Sequence, residues 1–193
     1  MEVIFREHIL GHLLKPCIET FFNGRNEFAG ALYGFKNKDR FILEDVFIDF
    51  TADGGKRTIH FISNKIQKKI DQNLDGLVTC YNLGHVHPHI IKESDLDEVE
   101  NKKEFIEYLK YYGEPSKMDR ETMEKDCQHI YLIMAFCDKR YNFRWSYMPD
   151  EKGIIGNTKD MTFHISAWYY NRKKKKHDST KIIAQKITQQ KAL

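Results

Sequence analysis

Two histidines one residue apart, in Gly84-His85-Val86-His87-Pro88-His89, follow an apolar stretch and precede Ser94 and Asp97. On a strand, residues i and i+2 project from one face, so His85 and His87 point together while Val86 turns back toward a core. Zinc accepts imidazole nitrogen and carboxylate oxygen, and a catalytic centre needs three protein ligands plus an open position for water. Asp97 can complete that trio. If Ser94 opens a helix, Asp97 stands one turn inside it. Each feature also has an ordinary reading: an H-x-H pair can be structural, Ser94-x-x-Asp97 satisfies the capping-box pattern by itself, and Glu27 can be a solvated strand end. His89 can support a ligand, substitute for one or face solvent. Histidines 8, 12, 60, 129, 164 and 177 show no partner spacing and read as structural or exposed.

The elements that must position these residues are read from periodicity. Glu2 to Phe5 predicts a short edge strand, followed by a helix through about Phe22 with Ile9, Leu13, Ile18 and Phe21 near one face. Strands over 27–35 and 40–50 flank a Lys36-Asn-Lys-Asp39 connection. A helix fits 58–73, where Ile59, Ile62, Ile66 and Ile70 recur at three and four. A buried strand runs from Leu77 to His87 and is expected to stop at Pro88, which lacks a donor. A third helix is expected from Ser94 to about Tyr112, with 113–127 a charged connection. Strands over 129–137, 141–147 and 161–169 follow, with 149–160 a loop, and a final helix is expected from Ser179 carrying Ile182, Ile183 and Ile187. The sum is an α/β (α+β) domain, a central mixed sheet flanked by helices.

Composition bounds the class. At 193 residues the chain has room for one domain and an appendage. Its hydrophobic fraction of 41% argues against disorder. The longest apolar run, Ile130 to Cys137, is far short of the roughly 20 residues that span a bilayer, and Glu2, Arg6 and Glu7 interrupt the apolar start. A soluble cytoplasmic protein with no membrane role is the expectation. The net charge of +3 divides unevenly: residues 171–193 carry +7 and the rest −4. The expected organisation is a domain over 1–170 and a basic tail over 171–193, a tail that can attract nucleic acid, anionic lipid or an acidic partner or simply be solvated. Cysteines 17, 80, 127 and 137 form no C-x-x-C pair, so neither a cysteine zinc site nor a disulfide framework is indicated.

Glu27-Phe-Ala-Gly30-Ala-Leu-Tyr-Gly34, with the downstream His85-x-His87-Pro88 and Ser94-x-x-Asp97, resembles the motif of the JAMM (MPN-plus) metallopeptidases, and 1–137 matches their order of elements. Two departures are plain: the His87–Ser94 spacing is one residue shorter than usual there, and Val86 replaces the usual serine or threonine. The resemblance implies a single JAB/MPN-type domain with one zinc held by His85, His87 and Asp97. It gives Glu27 the general-base role and Ser94 the oxyanion donor role. Zinc-bound water has a pKa near about 7, and a carboxylate beside it can pass its proton to the leaving amine. The implied reaction is hydrolysis of the amide at the C-terminus of ubiquitin or a ubiquitin-like protein, in deconjugation or precursor processing. The implied partners belong to a ubiquitin-like conjugation or antiviral defence system. A non-catalytic MPN-type scaffold is the alternative. A zinc deaminase is excluded by the absence of H-x-E with P-C-x-x-C, and a nucleic-acid partner is not expected.

Overall fold

A computed structural model of the chain describes residues 1–22, 28–49, 53–55, 58–60, 81–126, 129–148, 150 and 152–184. In chain order the elements are β1 (Glu2–Phe5), α1 (Ile9–Phe22), β2 (Ala29–Asn37), β3 (Arg40–Asp49), β4 (Asp53–Gly55), β5 (Thr58–His60) and β6 (Tyr81–Ile90). A 3-10 turn (Glu93–Leu96) follows, then α2 (Lys102–Tyr112), α3 (Lys117–Lys125), β7 (Ile130–Asp138), β8 (Ser146–Tyr147), β9 (Gly153–Asn157), β10 (Met161–Asn171) and β11 (Lys176–Ala184).

The α/β architecture expected for a JAB/MPN-type domain is not what the chain forms. Seven strands, in the order β11-β1-β3-β2-β6-β7-β10, close into a mixed barrel, and β9 and β8 extend it beyond β10. Closure rests on β11. Its first half pairs antiparallel with β10 and its second half pairs parallel with β1. The segment expected to be a helix from Ser179 is therefore a strand. Thr180, Ile182 and Ala184 alternate with half-buried neighbours, the two-residue period of a strand with one face on a core. Among the described residues of the expected basic tail, Asn171 ends β10, 172–175 form a turn and 176–184 belong to the barrel. Nor is β1 an edge: it lies between β3 and β11, parallel to both.

Other boundaries shift for local reasons. The helix expected from Ser94 divides into the 3-10 turn and α2, because Asn101 starts a new helix by accepting from the backbone N–H groups of Lys103 and Glu104. The 113–127 connection contains α3, and the loop expected over 149–160 contains β9. Thr58–His60 is strand, and the rest of the helix expected over 58–73 lies outside the described residues.

Strand β7 is buried on both faces. Leu132, Met134 and Phe136 join the main core with Phe5, Leu13, Leu32 and Val86. On its other face Ala135 and Cys137 meet Phe105 and Leu109 of α2. Both layers are built of buried apolar side chains, and they fix β6 and α2 relative to one another.

Candidate metal centre

Strand β6 presents His85, His87 and His89 on one face by the strand period, while Val86 between them is fully buried in the main core. Gly84 makes the start of this run possible. Its φ is +148°, and a Cβ there would lie 1.8 Å from the Ile130 carbonyl oxygen, so only glycine lets β7 approach. Pro88 does not end the strand as expected. Pairing with β2 runs only to Val86, and beyond it β6 pairs with β7 alone through Ile90, so a residue without a donor is tolerated.

Helix α3 lies over this histidine face. Its start is fixed twice. Ser116 caps it, accepting from the Asp119 N–H at 3.2 Å, while Asp119 Oδ2 accepts from the Ser116 N–H at 2.7 Å, a reciprocal capping box. The turn before it is anchored to β10: the Gly113 carbonyl accepts from Ser166 Oγ and from Trp168 Nε1, and His164 Nδ1–H donates to the Leu109 carbonyl at 3.0 Å. Asp119 is thereby held against the strand with its second oxygen available.

His87 Nε2 lies 3.2 Å from His89 Nε2 and 3.3 Å from Asp119 Oδ1, and His89 Nε2 lies 3.8 Å from Asp119 Oδ2. Ligands about 2.0–2.1 Å from a tetrahedral zinc are separated by about 3.3 Å, so His87 already stands at co-ligand spacing from both partners, while His89 and the second Asp119 oxygen are slightly wider apart. His89 Nδ1 sits 2.6 Å from the Tyr112 carbonyl. A carbonyl only accepts, so Nδ1 carries the proton and the Nε2 lone pair faces the group, the support that metal-bound imidazoles usually receive.

The electrostatics agree. Burial lowers the pKa of His89, with His87 adding to it against the pull of the Tyr112 carbonyl and Asp119, so the ring is neutral. Burial alone would raise the Asp119 carboxyl, but hydrogen bonds from His87 and Ser116 outweigh it and hold it well below the usual range. The group therefore offers two imidazoles and one anion. Beside it opens a cavity of about 520 Å³ whose lining includes His89, Tyr112, Glu114, Ser116, Lys117 and Arg120.

A second carboxylate, Asp126, stands at the other end of α3. Its Oδ2 is 3.5 Å from His85 Nε2 and 2.5 Å from His129 Nδ1. Hydrogen bonding from His85 above all, with His129, overcomes partial burial and takes its pKa down to about 2.

Of the five residues singled out from the sequence, His85 and His87 share a face but meet different carboxylates, Asp126 and Asp119. Asp97 is the exposed C-cap of the 3-10 turn, and Ser94 is exposed inside that turn, whose start is capped instead by Asp95, accepting from the Lys92 backbone N–H. Neither belongs to a described group able to hold an ion. Glu27 lies outside the described residues. The motif glycine Gly34 has a packing role: it follows a bulge in β2, and a Cβ there would lie 1.9 Å from the Ile42 carbonyl oxygen. Sequence reasoning missed Asp119, Asp126 and His129. One available signal was Ser116-Lys-Met-Asp119, a second Ser-x-x-Asp with the same capping pattern as Ser94 to Asp97.

No protein-family model and no curated protein matches the chain. Among solved structures, the solution structure of a Desulfitobacterium hafniense protein determined by a structural genomics consortium is similar. Its TM-score is 0.51 at 14% identity, covering 98% of this chain and 96% of that one. At that identity the likeness concerns the fold alone.

Proposed function

We propose that this protein is a zinc-dependent hydrolase whose centre is His87, His89 and Asp119. The observation that carries this reading is that His87 Nε2 stands 3.2 Å from His89 and 3.3 Å from Asp119, about the spacing of zinc co-ligands, with His89 in the wall of a cavity. Two imidazoles and a carboxylate suit zinc and leave a coordination position for water. Zinc bound there would supply a water acidified toward neutral pH.

The chain's own groups divide the remaining work. The Tyr112 carbonyl orients His89, and the capping box orients Asp119. Lys117 and Arg120 bring positive charge to the cavity, suited to a carbonyl whose oxygen gains negative charge during attack. Glu114 supplies the cavity's carboxylate, a group able to take a proton from water and return it to a leaving amine. Glu27 is the other carboxylate with a claim to that role, through the motif resemblance. The same resemblance nominates the substrate, an amide at the C-terminus of a ubiquitin-like protein. The fold does not add to that nomination.

The test uses the full chain purified with zinc and a ubiquitin-like protein fused through its C-terminus to a reporter. The expected result is cleavage that a chelator abolishes and zinc restores, with H89A losing both metal and turnover. E114Q and E27Q should retain the metal, and the one that serves as base should lose turnover. Full activity in H89A, or metal content unchanged by it, overturns the assignment.

A further inference from the structure

The Asp126 end of α3 differs from the proposed catalytic centre in position and in ligands. Three chain segments converge there: β6 through His85, the C-cap of α3 through Asp126, and the residue before β7 through His129. Their donor atoms all lie within 4.8 Å of one another, and the His85 and His129 rings meet edge-on with centroids 5.8 Å apart. The three side chains are half-buried, accessible enough for an ion to enter and shielded enough to hold it. The register sets them side by side, since Gly84 pairs with Ile130 and His85 with Tyr131 in the parallel β6–β7 ladder.

We propose that His85, Asp126 and His129 form a second divalent-cation site, of the zinc class, that fastens the α3–β7 connection to β6. The donor set of two imidazole nitrogens and one carboxylate oxygen is the same as at the first centre, and it favours zinc, cobalt or nickel over magnesium or calcium. The spacing is not the same. At 2.5 Å the His129–Asp126 contact is a hydrogen bond, closer than co-ligands of one ion stand. Binding therefore exchanges that hydrogen bond for the ion: His129 shifts its proton from Nδ1 to Nε2 through solvent, the N–H···O bond breaks, and nitrogen and oxygen each turn to the metal. Because its donors must first separate, the second site is the weaker one. Joining three chain segments through one ion gives the site a structural role.

The experiment is titration of the EDTA-stripped full chain with Zn2+ by calorimetry and with Co2+ by visible absorption, with a thermal melt at each equivalent. The expected result is two equivalents in separate steps. The weaker step is absent in H129Q and in D126N, while the tighter step remains in both and is lost in H89A. The weaker step should raise the Tm of the parent and not of H129Q. A single equivalent in the parent, or a second one that survives both substitutions, overturns the proposal. If H129Q fails to fold by circular dichroism, D126N decides by the same titration. The outcomes separate from those of the hydrolase reading. A chain that binds two ions and cleaves nothing keeps this site, and one that cleaves with a single ion sinks it.

Discussion

The two ends of α3 answer the same strand with the same kind of side chain, yet they are built differently. Asp119 and Asp126 are seven residues apart, about 10.5 Å along a helix, and His85 to His89 span about 13 Å of strand. Laying one along the other brings a carboxylate to each end of the histidine row. At the helix start, Asp119 is 19% exposed, locked by a capping box, and stands 3.3 Å from His87. At the helix end, Asp126 is 36% exposed and already consumed by a close bond to His129. The difference teaches that a helix terminus becomes a ligand-ready site when its backbone is satisfied by something other than the ligand.

The largest effect should come from exchanging the two carboxylates separately. Asp119→Asn should weaken zinc binding at the first centre by at least about 100-fold, more than the loss of a supporting group usually does, and should abolish turnover. Asp126→Asn should leave turnover within a few-fold of the parent. Competition with a chromophoric chelator, beside the cleavage assay, measures both. If the two substitutions behave alike, the distinction between the two ends is wrong.

Next in size is Gly84→Ala, which strikes the strand both ends depend on. The added Cβ meets the Ile130 carbonyl oxygen and demands a backbone conformation that alanine rarely adopts. A loss of about 3 kcal/mol in urea unfolding is expected. Because Gly84 adjoins His85, Co2+ binding at the His85 end should suffer before the His87–His89 end does.

The pH dependence of stability should bear on the anchored end. Burial pushes His164 from 6.5 down to about 4. As pH falls, the unfolded chain takes up this proton before the folded one can. The contribution of the neutral ring is therefore complete above about pH 6.5 and lost progressively down to about pH 4, roughly 3 kcal/mol in all. His89, also lowered by burial, adds in the same direction in chelator-treated protein. Urea unfolding of chelator-treated protein from pH 7 to 4 should show the loss, and His164→Gln should flatten it. An equal slope in the variant would remove His164 as the cause.

What was legible in the sequence follows from what is local. The i, i+2 pairing of His85 and His87 and the inward turn of Val86 need only the strand period, and Val86 is indeed fully buried. Helix α3 was not legible because its face toward the protein is nearly all polar: Met123 is its one fully buried residue, so no apolar stripe marks it. Choosing between Ser94-x-x-Asp97 and Ser116-x-x-Asp119 needed tertiary contacts, since both satisfy the same pattern. Barrel closure was hidden for a related reason. Ile182 and Ile183 fit a helical reading of the tail as well as a strand, and the partners that decide it, β1 and β10, differ greatly in their distance along the chain.

The smallest expected effect is the most discriminating. Ser116→Ala removes the oxygen that accepts from the Asp119 N–H but touches neither imidazole. Loss of such a cap costs about 1 kcal/mol of stability. Asp119 also loses one of the groups that fix its carboxylate, so zinc affinity at the first centre should fall by about 10-fold, the scale of a lost supporting contact. Nothing at Asp126 depends on Ser116, and the weaker cobalt step should stay where it is. Threonine at the same position keeps the hydroxyl and should restore the tighter step. If alanine weakens both steps equally, the cap acts through the stability of α3 as a whole and the two ends are not independent. If it weakens only the tighter one and threonine rescues it, then the capping box tunes the metal centre directly.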